Sequence, residues 1–392
     1  MRHKLALTCL RTLALCLSLG STALASTVWY VDGVNGDDLN NCKSVTTACA
    51  TIRRAISLAS SGDTVMIAAA TYSENLTINI NLKLTGSGAT STIIDGGGVA
   101  RVISILNTKA IVGLSKVKIQ NGVAAGGGGI LNWGTLALTN STVSGNIAGS
   151  ESSATGAGIY NSGTLTITNS TLSRNSGYSN FMYGGAIYNS GSLTIAKSTL
   201  SGNTAYGYFG GGGGGIFNSS GSVTITNTTL SGNSAHASGG GGIFNNSGSV
   251  TINNATLSGN TAAGYKGGAI FVVKGATVTL QNSIVTNSST AGNCHGILTS
   301  HGYNLSSDNT CNFHSSGDRN NIAPRLGPLQ NNGGPTFTQA LLSGSPAIDA
   351  GNPSGCTDGK GHRLTTDQRG LPRFDKEDTR GCDMGAYERQ TD

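Results

Sequence analysis

The sequence predicts an all-β solenoid in which short strands coil around one apolar core. The middle of the 392-residue chain repeats with a period of 27 to 30 residues, and a fixed period of that length is typical of solenoids and arrays. Within each repeat, apolar and polar residues alternate with a period of two, as in half-buried strands. The chain has 60 glycines but only 6 prolines, a composition that favours many tight turns.

The chain begins with the features of a secretory signal peptide. A basic segment at residues 2–4 precedes an apolar run at residues 5–19, and small residues suited to cleavage lie at 23–25. We therefore expect residues 1–25 to be removed from an exported protein that is extracellular or associated with the cell surface or outer membrane. No later run reaches the ~18 apolar residues of a membrane span, so we predict no transmembrane segment.

Six cysteines follow the signal peptide, in three close sequential pairs. Paired cysteines in an exported protein normally form disulfides, because the environment is oxidising. The simplest connectivity joins Cys42 to Cys49, Cys294 to Cys311 and Cys356 to Cys382. The rival interpretation is a zinc site, since His295, His301 and His314 surround the second pair. Export favours the disulfides.

Each repeat predicts three short strands per coil. In GGGGIFNSSGSVTITNTTLSGN, a first strand surrounds Ile216, a second alternates Val223 and Ile225 with threonine, and a third surrounds Leu230. Glycine permits positive φ at the corner before the first strand. Coils of three short parallel strands, hydrogen-bonded to the neighbouring coils at about 4.8 Å spacing, resemble a right-handed parallel β-helix.

Equivalent positions in the six repeats predict the core. The leading isoleucines and three apolar columns point inward, and asparagines at equivalent corners form ladders between coils. The columns are Leu136, Leu165, Leu193, Val223, Val250 and Val278; Leu138, Ile167, Ile195, Ile225, Ile252 and Leu280; and Val143, Leu172, Leu200, Leu230, Leu257 and Ile284. The closing asparagines are Asn146, Asn175, Asn203, Asn233, Asn260 and Asn287.

The flanking segments predict a cap at each end. Residues 28–120 have the pattern of irregular opening coils. Ile52, Ala55, Ile56 and Ala59 recur at helical spacing, which indicates a short N-terminal helix that covers the exposed edge of the first coil. The domain organisation we expect is a signal peptide at 1–25, a β-helix at 26–320 and a C-terminal cap at 321–392.

Two resemblances follow from these motifs. The GG[AI]I…SGN pattern resembles repeats of polymorphic outer-membrane proteins and other bacterial surface proteins with the pectate-lyase-like β-helix. The tail segments LGPLQNNGGPTFTQALLSGSPAIDAGNP, TDQRGLPR and CDMGAYE are similar to the choice-of-anchor Q segment, over about residues 326–388. The first resemblance implies a β-helix of the kind found in surface proteins, and together the two cover most of the chain that follows the signal peptide. They imply little about activity, because one fold hosts many functions.

Acidic residues are almost absent from the repeats. Between Asp95 and Asp308 the only acid is Glu151. Lyases of this fold hold Ca²⁺ with several carboxylates, and hydrolases use carboxylate pairs. The composition therefore disfavours an enzyme with its site in the repeats, and we assign no catalytic residue. A polysaccharide lyase or glycoside hydrolase built from the end loops is the alternative function.

The acids instead cluster at the two ends. Asp32, Asp37 and Asp38 lie in a loop whose oxygens suit Ca²⁺, but the spacing does not match the helix-loop-helix calcium motif. We expect a solvated turn there and predict no cofactor. The net charge of +6 is spread out, so no nucleic-acid partner is predicted. An ion-pair network that packs the C-terminal cap is expected from Asp367, Arg369, Arg373, Asp383 and Glu388.

Aromatic residues supply the candidate binding site. The residue after each leading isoleucine alternates outward, and five of these six residues are aromatic. The adjoining turns add further rings on the same side. The candidates are Tyr160, Tyr178, Phe181, Tyr183, Tyr188, Tyr206, Tyr208, Phe209, Phe217, Phe244, Tyr265 and Phe271.

Rings on a long, weakly charged surface suit sugar rings or a partner protein. The sequence therefore predicts non-catalytic, adhesin-like binding of glycans or other surfaces. The competing interpretation of the ladder is that its rings only stabilise the stacking of coils, or that the rings face inward and the isoleucines outward. A structural spacer ranks third among the functions.

Overall fold

The computed structural model describes residues 26–236, 239–263, 267–288, 292–358, 360–373 and 381–391. Over these residues the chain forms a right-handed parallel β-helix with an N-terminal helix, as the sequence predicts. The expected signal peptide at residues 1–25 lies outside the described residues.

Three parallel sheets enclose the core, and each coil between the first and the last contributes one strand to each sheet. Sheet 1 contains Val28–Val31, Asp63–Ile67, Leu82–Gly86, Ile111–Ser115, Thr135–Thr139, Thr164–Thr168, Ser192–Ala196, Ser222–Thr226, Ser249–Asn253, Thr277–Gln281 and Thr299–Ser300. Sheet 2 contains Ala70–Ser73, Thr92–Asp95, Lys118–Gln120, Thr142–Ser144, Thr171–Ser173, Thr199–Ser201, Thr229–Ser231, Thr256–Ser258, Ile284–Thr286 and Leu305–Ser306. Sheet 3 contains Leu76–Thr77, Ile103–Ile105, Ile130–Asn132, Ile159–Asn161, Ile187–Asn189, Ile216–Asn218, Ile243–Asn245, Ile270–Val272 and Cys294–His295.

A fourth sheet adds to the three predicted ones. It forms from the segments that return from sheet 2 to sheet 3, which are rich in glycine, serine and tyrosine. Its strands are Val123–Ala124, Ile147–Gly149, Ser153–Thr155, Ser176–Tyr183, Thr204–Gly212, Ser234–Ala235 and Thr261–Ala262. Two of them, Ser176–Tyr183 and Thr204–Gly212, are much longer than the others.

Asparagine ladders join the coils at two corners. The side-chain nitrogen of Asn175 donates to Oδ1 of Asn203 at 2.9 Å, and Asn203 donates to Asn233 at 2.8 Å. A second ladder at the end of sheet 3 includes Asn161, which donates to Asn189 at 2.7 Å. Because these amides are fully buried, every hydrogen bond replaces one that water would otherwise make.

The strand register shows that the predicted inward column is wrong by one residue in the last of the six repeats. Leu257 pairs with Val285, and Thr256 pairs with Ile284, so Val285 rather than Ile284 continues the inward column. Ile284 instead packs against the C-terminal tail. Asn287 is shifted likewise: its φ of 51° places it at the corner that Gly259 occupies in the preceding coil.

The predicted helical cap is present at Ile52–Leu58. Its free N-terminal N–H groups find partners, since Glu74 accepts from Ile52 and Arg53 at 2.8 Å each. The Thr51 hydroxyl accepts from the N–H of Arg54. A buried helix end without such partners would be unfavourable. A 3₁₀ turn, Val45–Thr47, precedes the helix.

The C-terminal tail lies along the side of the solenoid. It contains a hairpin of two antiparallel strands, Leu326–Gln330 and Thr338–Leu341. The ion pairs expected in the tail form and are buried: Arg369 contacts Asp367 at 2.8 Å, and Arg373 contacts Glu388 at 2.9 Å.

Corner side chains of successive coils bind this tail. Asn227 donates to the carbonyl of Thr366 at 2.9 Å and Asn254 donates to that of Thr357 at 2.7 Å. Asn282 donates to the carbonyl of Asp383 at 2.9 Å. The tail is thus held at a corner of three consecutive coils. The division of the chain at residue 320 stays a prediction.

Candidate functional site

The expected ladder of rings follows the outer face of sheet 3. Each ring stacks on the ring of the next coil at centroid distances between 4.6 and 5.7 Å. The ladder contains Tyr160, Tyr188, Phe217, Phe244 and Phe271, and His295 extends it by one coil. The isoleucine that precedes each aromatic ring is buried in the core, so the alternation along this strand is as predicted.

Most of the ladder is covered. Phe217, Phe244 and Phe271 are only 5%, 8% and 9% exposed. Tyr183 of the fourth sheet packs on Phe217, and the glycine-rich strand Thr204–Gly212 lies against Phe244. A Cβ on Gly212 would lie 2.6 Å from a ring carbon of Phe244. These three rings therefore stabilise the stacking of coils and present no open face to a ligand.

The half-buried members of the ladder lie at its margin. Tyr160 and Tyr188 stack at 4.9 Å. Burial, followed by the neighbouring Tyr188, raises the pKa of Tyr160 above its ordinary value. Tyr183 packs on Phe217 at 4.8 Å and so joins the ladder to the fourth sheet.

The exposed rings lie on the two long strands of the fourth sheet. Tyr178, Phe181, Tyr208 and Phe209 are 56%, 41%, 66% and 75% exposed, and Tyr206 is half-buried between them. These five residues form what we call the aromatic platform. The platform contains the part of the candidate set that faces solvent, whereas Tyr265 lies outside the described residues.

Parallel register places the platform rings above one another. Tyr178 pairs with Tyr206 along the strands, and their rings are 5.5 Å apart. Phe181 and Phe209 are 6.3 Å apart, and Tyr208 meets Tyr206 edge-on at 5.1 Å. The platform therefore spans two coils, with two rings on the first coil and three on the second.

His236 extends one column of the platform, although it is not among the predicted binding residues. Its ring lies 4.5 Å from that of Tyr206. The signal was present in the repeats, because the Asn-Ser-Ala-His of residues 233–236 aligns with the Asn-Thr-Ala-Tyr of residues 203–206. Alignment of the return segments would have placed the imidazole in the Tyr206 column.

The acids of the N-terminal loop are bound locally. Asp32 accepts from the N–H groups of Val34 and Asn35, and Asp38 accepts from the N–H and hydroxyl of Thr51. Among the described residues, no three His, Cys, Asp or Glu side chains come together as they would around a metal ion.

All three predicted disulfides are present. Cys42 is joined to Cys49, Cys294 to Cys311 and Cys356 to Cys382. Since Cys294 and Cys311 bind each other, they are not zinc ligands, and the nearby His295 stacks on Phe271 instead.

Comparison with known families agrees with this architecture. Residues 101–311 match the family described as right-handed beta helix region, and this match covers more than half of the chain. No curated protein matches the sequence. No described helix is long and apolar enough to cross a membrane. The stacked coils and the family match together show that the chain belongs to the right-handed β-helix family.

Proposed function

We propose that the protein binds glycans without catalysis, through the aromatic platform. The observation that supports this most is the exposure of four rings on one sheet, Tyr178, Phe181, Tyr208 and Phe209. Exposed aromatic surface costs free energy in water and is typical of binding sites. Its faces offer the flat apolar contact that sugar rings take.

The proposal is tested by removing the platform rings together. In Tyr206→Ala/Tyr208→Ala/Phe209→Ala, we expect retention on insoluble polysaccharides to be lost and the thermal midpoint to change little, because Tyr208 and Phe209 lie outside the core. Trp133→Ala is the matched control, since Trp133 is 43% exposed at a different corner. The panel pairs neutral polymers (cellulose, xylan, chitin) with uronates (pectate, alginate). Equal retention of the triple variant and the parent would overturn the proposal.

The second candidate is a polysaccharide lyase or glycoside hydrolase of the pectate-lyase-like type. One observation favours it: a groove of about 390 Å³ at the N-terminal coils is lined by Tyr30, Met66, Asp32 and Lys116 among others. However, hydrogen bonds from the Val34 N–H and then from Asn35 hold the pKa of Asp32 below its ordinary value, so Asp32 is a poor proton donor. Release of unsaturated or reducing-end products, abolished in Asp32→Asn, would favour this candidate.

The resemblances to bacterial surface proteins and to the choice-of-anchor Q segment concern where the protein is located in the cell. We propose that the protein is exported and remains at a cell surface, with the tail acting as a choice-of-anchor Q-like segment. The signal-peptide pattern at residues 1–25 and three disulfides, which persist in oxidising compartments, support export. Fractionation of cells that express the full chain tests this proposal. Recovery in the cytoplasm with reduced cysteines would contradict it.

A further inference from the structure

The acid that stands alone in the repeats lies next to the aromatic platform. Glu151 is exposed in the turn between the strands Ile147–Gly149 and Ser153–Thr155. The Ser150 hydroxyl fixes this turn, because it donates to the carbonyl of Ser153 at 2.6 Å and accepts from its N–H at 3.0 Å. The carboxylate is therefore held on an ordered turn.

Pairing places this turn beside the platform. Gly149 pairs with Tyr178, and Ser153 pairs with Phe181. The N–H of Phe181 also donates to the carbonyl of Ser152 at 3.2 Å. Glu151 thus lies one coil before the first rings of the platform, between the two columns that these rings begin.

His236 marks the other end. Its ring packs against that of Tyr206 at an interplanar angle of 37°, one coil beyond the second tier of rings. Four successive coils therefore present a carboxylate, two rings, three rings and an imidazole. Since neighbouring strands are about 4.8 Å apart, the four tiers span about 14 Å along the solenoid axis.

The charges of the described residues beside the platform are balanced. Of the charged residues described between positions 121 and 300, Lys197 donates to Thr366 of the tail and Lys274 follows sheet 3 at the corner to sheet 1. Glu151 and Arg174 are the two that adjoin strands of the fourth sheet. Among the described residues, one acid and one base form no cluster of cations for a uronate chain, so this part of the surface complements a neutral ligand.

We infer that the platform binds a neutral, extended glycan whose chain runs along the solenoid axis, with one sugar unit on each tier and hydroxyls of the unit at one end donating to Glu151. This inference rests on the proposed function. Rings stack on the middle units, while a carboxylate, which only accepts hydrogen bonds, selects hydroxyl donors. Glu151 is therefore a specificity-determining residue.

The orientation follows from the direction in which the rings align. Tyr178, Tyr206 and His236 form one column along the axis. Across the axis, alternation within a strand turns every second side chain away from solvent, as the burial of Gly177 and Ser179 on either side of Tyr178 shows. A ligand whose chain ran along one strand, perpendicular to the solenoid axis, would contact neither Glu151 nor His236.

Length dependence tests both the orientation and the role of Glu151. The probes are neutral β-1,4-linked oligosaccharides of two to six units, built from glucose, mannose, xylose or N-acetylglucosamine, with oligogalacturonates for comparison. Titration calorimetry should give affinity that rises up to four units for at least one neutral series and is constant beyond. Glu151→Ala should weaken binding of the four-unit ligand roughly tenfold, as expected for lost hydrogen bonds to a charged acceptor, and leave the two-unit ligand unchanged. His236→Ala should show the same split.

Controls separate this inference from the proposed function. Asp37→Asn removes an acid of the N-terminal loop and should leave all affinities unchanged. Three results would overturn the inference while the platform remained a glycan site. They are an affinity that does not change from two units upward, an equal loss of affinity at every length in Glu151→Ala, and tighter binding of oligogalacturonates than of neutral oligosaccharides. If no oligosaccharide and no polysaccharide bound the parent, the proposed function itself would fail.

Discussion

The side-chain nitrogen of Asn146 lies 3.0 Å from Oδ1 of Asn175 in the next coil and donates to it. The backbone N–H of Asn146 donates to the same oxygen at 3.1 Å. Asn175 in turn donates to the carbonyl of Val143 and to Asn203. One buried amide therefore joins its own coil to the coils on either side, so the effect of removing it should spread beyond its own position.

Asn175→Ala should lower the free energy of unfolding by about 3 to 5 kcal/mol, because the buried N–H of Asn146 and the carbonyl of Val143 lose a partner and the Asn146 side chain loses an acceptor. Asn246→Ala provides the comparison, since Asn246 is exposed and donates one long bond to Ser219. Urea titration followed by circular dichroism measures both variants. Similar midpoints for the two would show that the ladder adds little to stability.

Leu230→Asp should destabilise the solenoid by several kcal/mol, because Leu230 is fully buried and its site offers a carboxylate no partner. Ser222→Asp adds the same charge on the exposed face of the same coil and should be nearly neutral. Thermal melts of both variants decide the point. An unchanged midpoint for Leu230→Asp would contradict the inward assignment of its column.

Arg373→Met should loosen the tail by about 3 to 5 kcal/mol, because it removes the cation from the buried Glu388 carboxylate. The guanidinium also donates to Asn227 at 2.7 Å, so the tail loses its link to that coil. Hydrogen exchange should quicken in the tail and stay slow in the early repeats. His362→Ala breaks only the exposed pair with Asp358 and should change little. If the tail exchanged no faster than the early repeats in either variant, this role of Arg373 would be contradicted.

Asp63 should make the N-terminal coils sensitive to acid. Burial raises the pKa of this carboxyl, but hydrogen bonds from Trp29, Ser60 and Thr27 outweigh that effect, so its pKa lies below the ordinary value. Stability from a lowered pKa is complete above the unfolded value of about 3.9 and is lost as pH falls through the folded value. Asp63→Asn should therefore melt earlier at pH 7 and show a smaller loss of stability below about pH 4. Parallel curves for variant and parent would exclude this contribution.

The coil plan could be predicted from the sequence because each column repeats at a fixed spacing. Leu172, Leu200 and Leu230 occupy one position in three consecutive repeats, and all three are buried in the core. The last coil was harder to align, since Ile284 and Val285 are both apolar. Contact with Met384 and Leu341 decides which one faces the tail, and that contact joins residues distant in sequence.

The site was only partly predictable for a related reason. Strand alternation correctly turned Phe244 away from the core, but the glycines that cover it carry no side-chain pattern that predicts a strand. The same glycines let the strand Thr204–Gly212 approach the ladder closely. Whether a ring on sheet 3 meets solvent therefore depends on packing that a period-two pattern does not contain.

The contacts between the tail and the corners of consecutive coils limit where the number of repeats can change. Asn227, Asn254 and Asn282 each meet a fixed tail residue, so a repeat duplicated among them would move the later corner one coil away from its partner. Duplication ahead of Ile187 would lengthen the solenoid and leave those contacts intact. We therefore expect the number of repeats to vary before Ile187, whereas the contacts with the tail fix the number of repeats from Asn227 to Asn282.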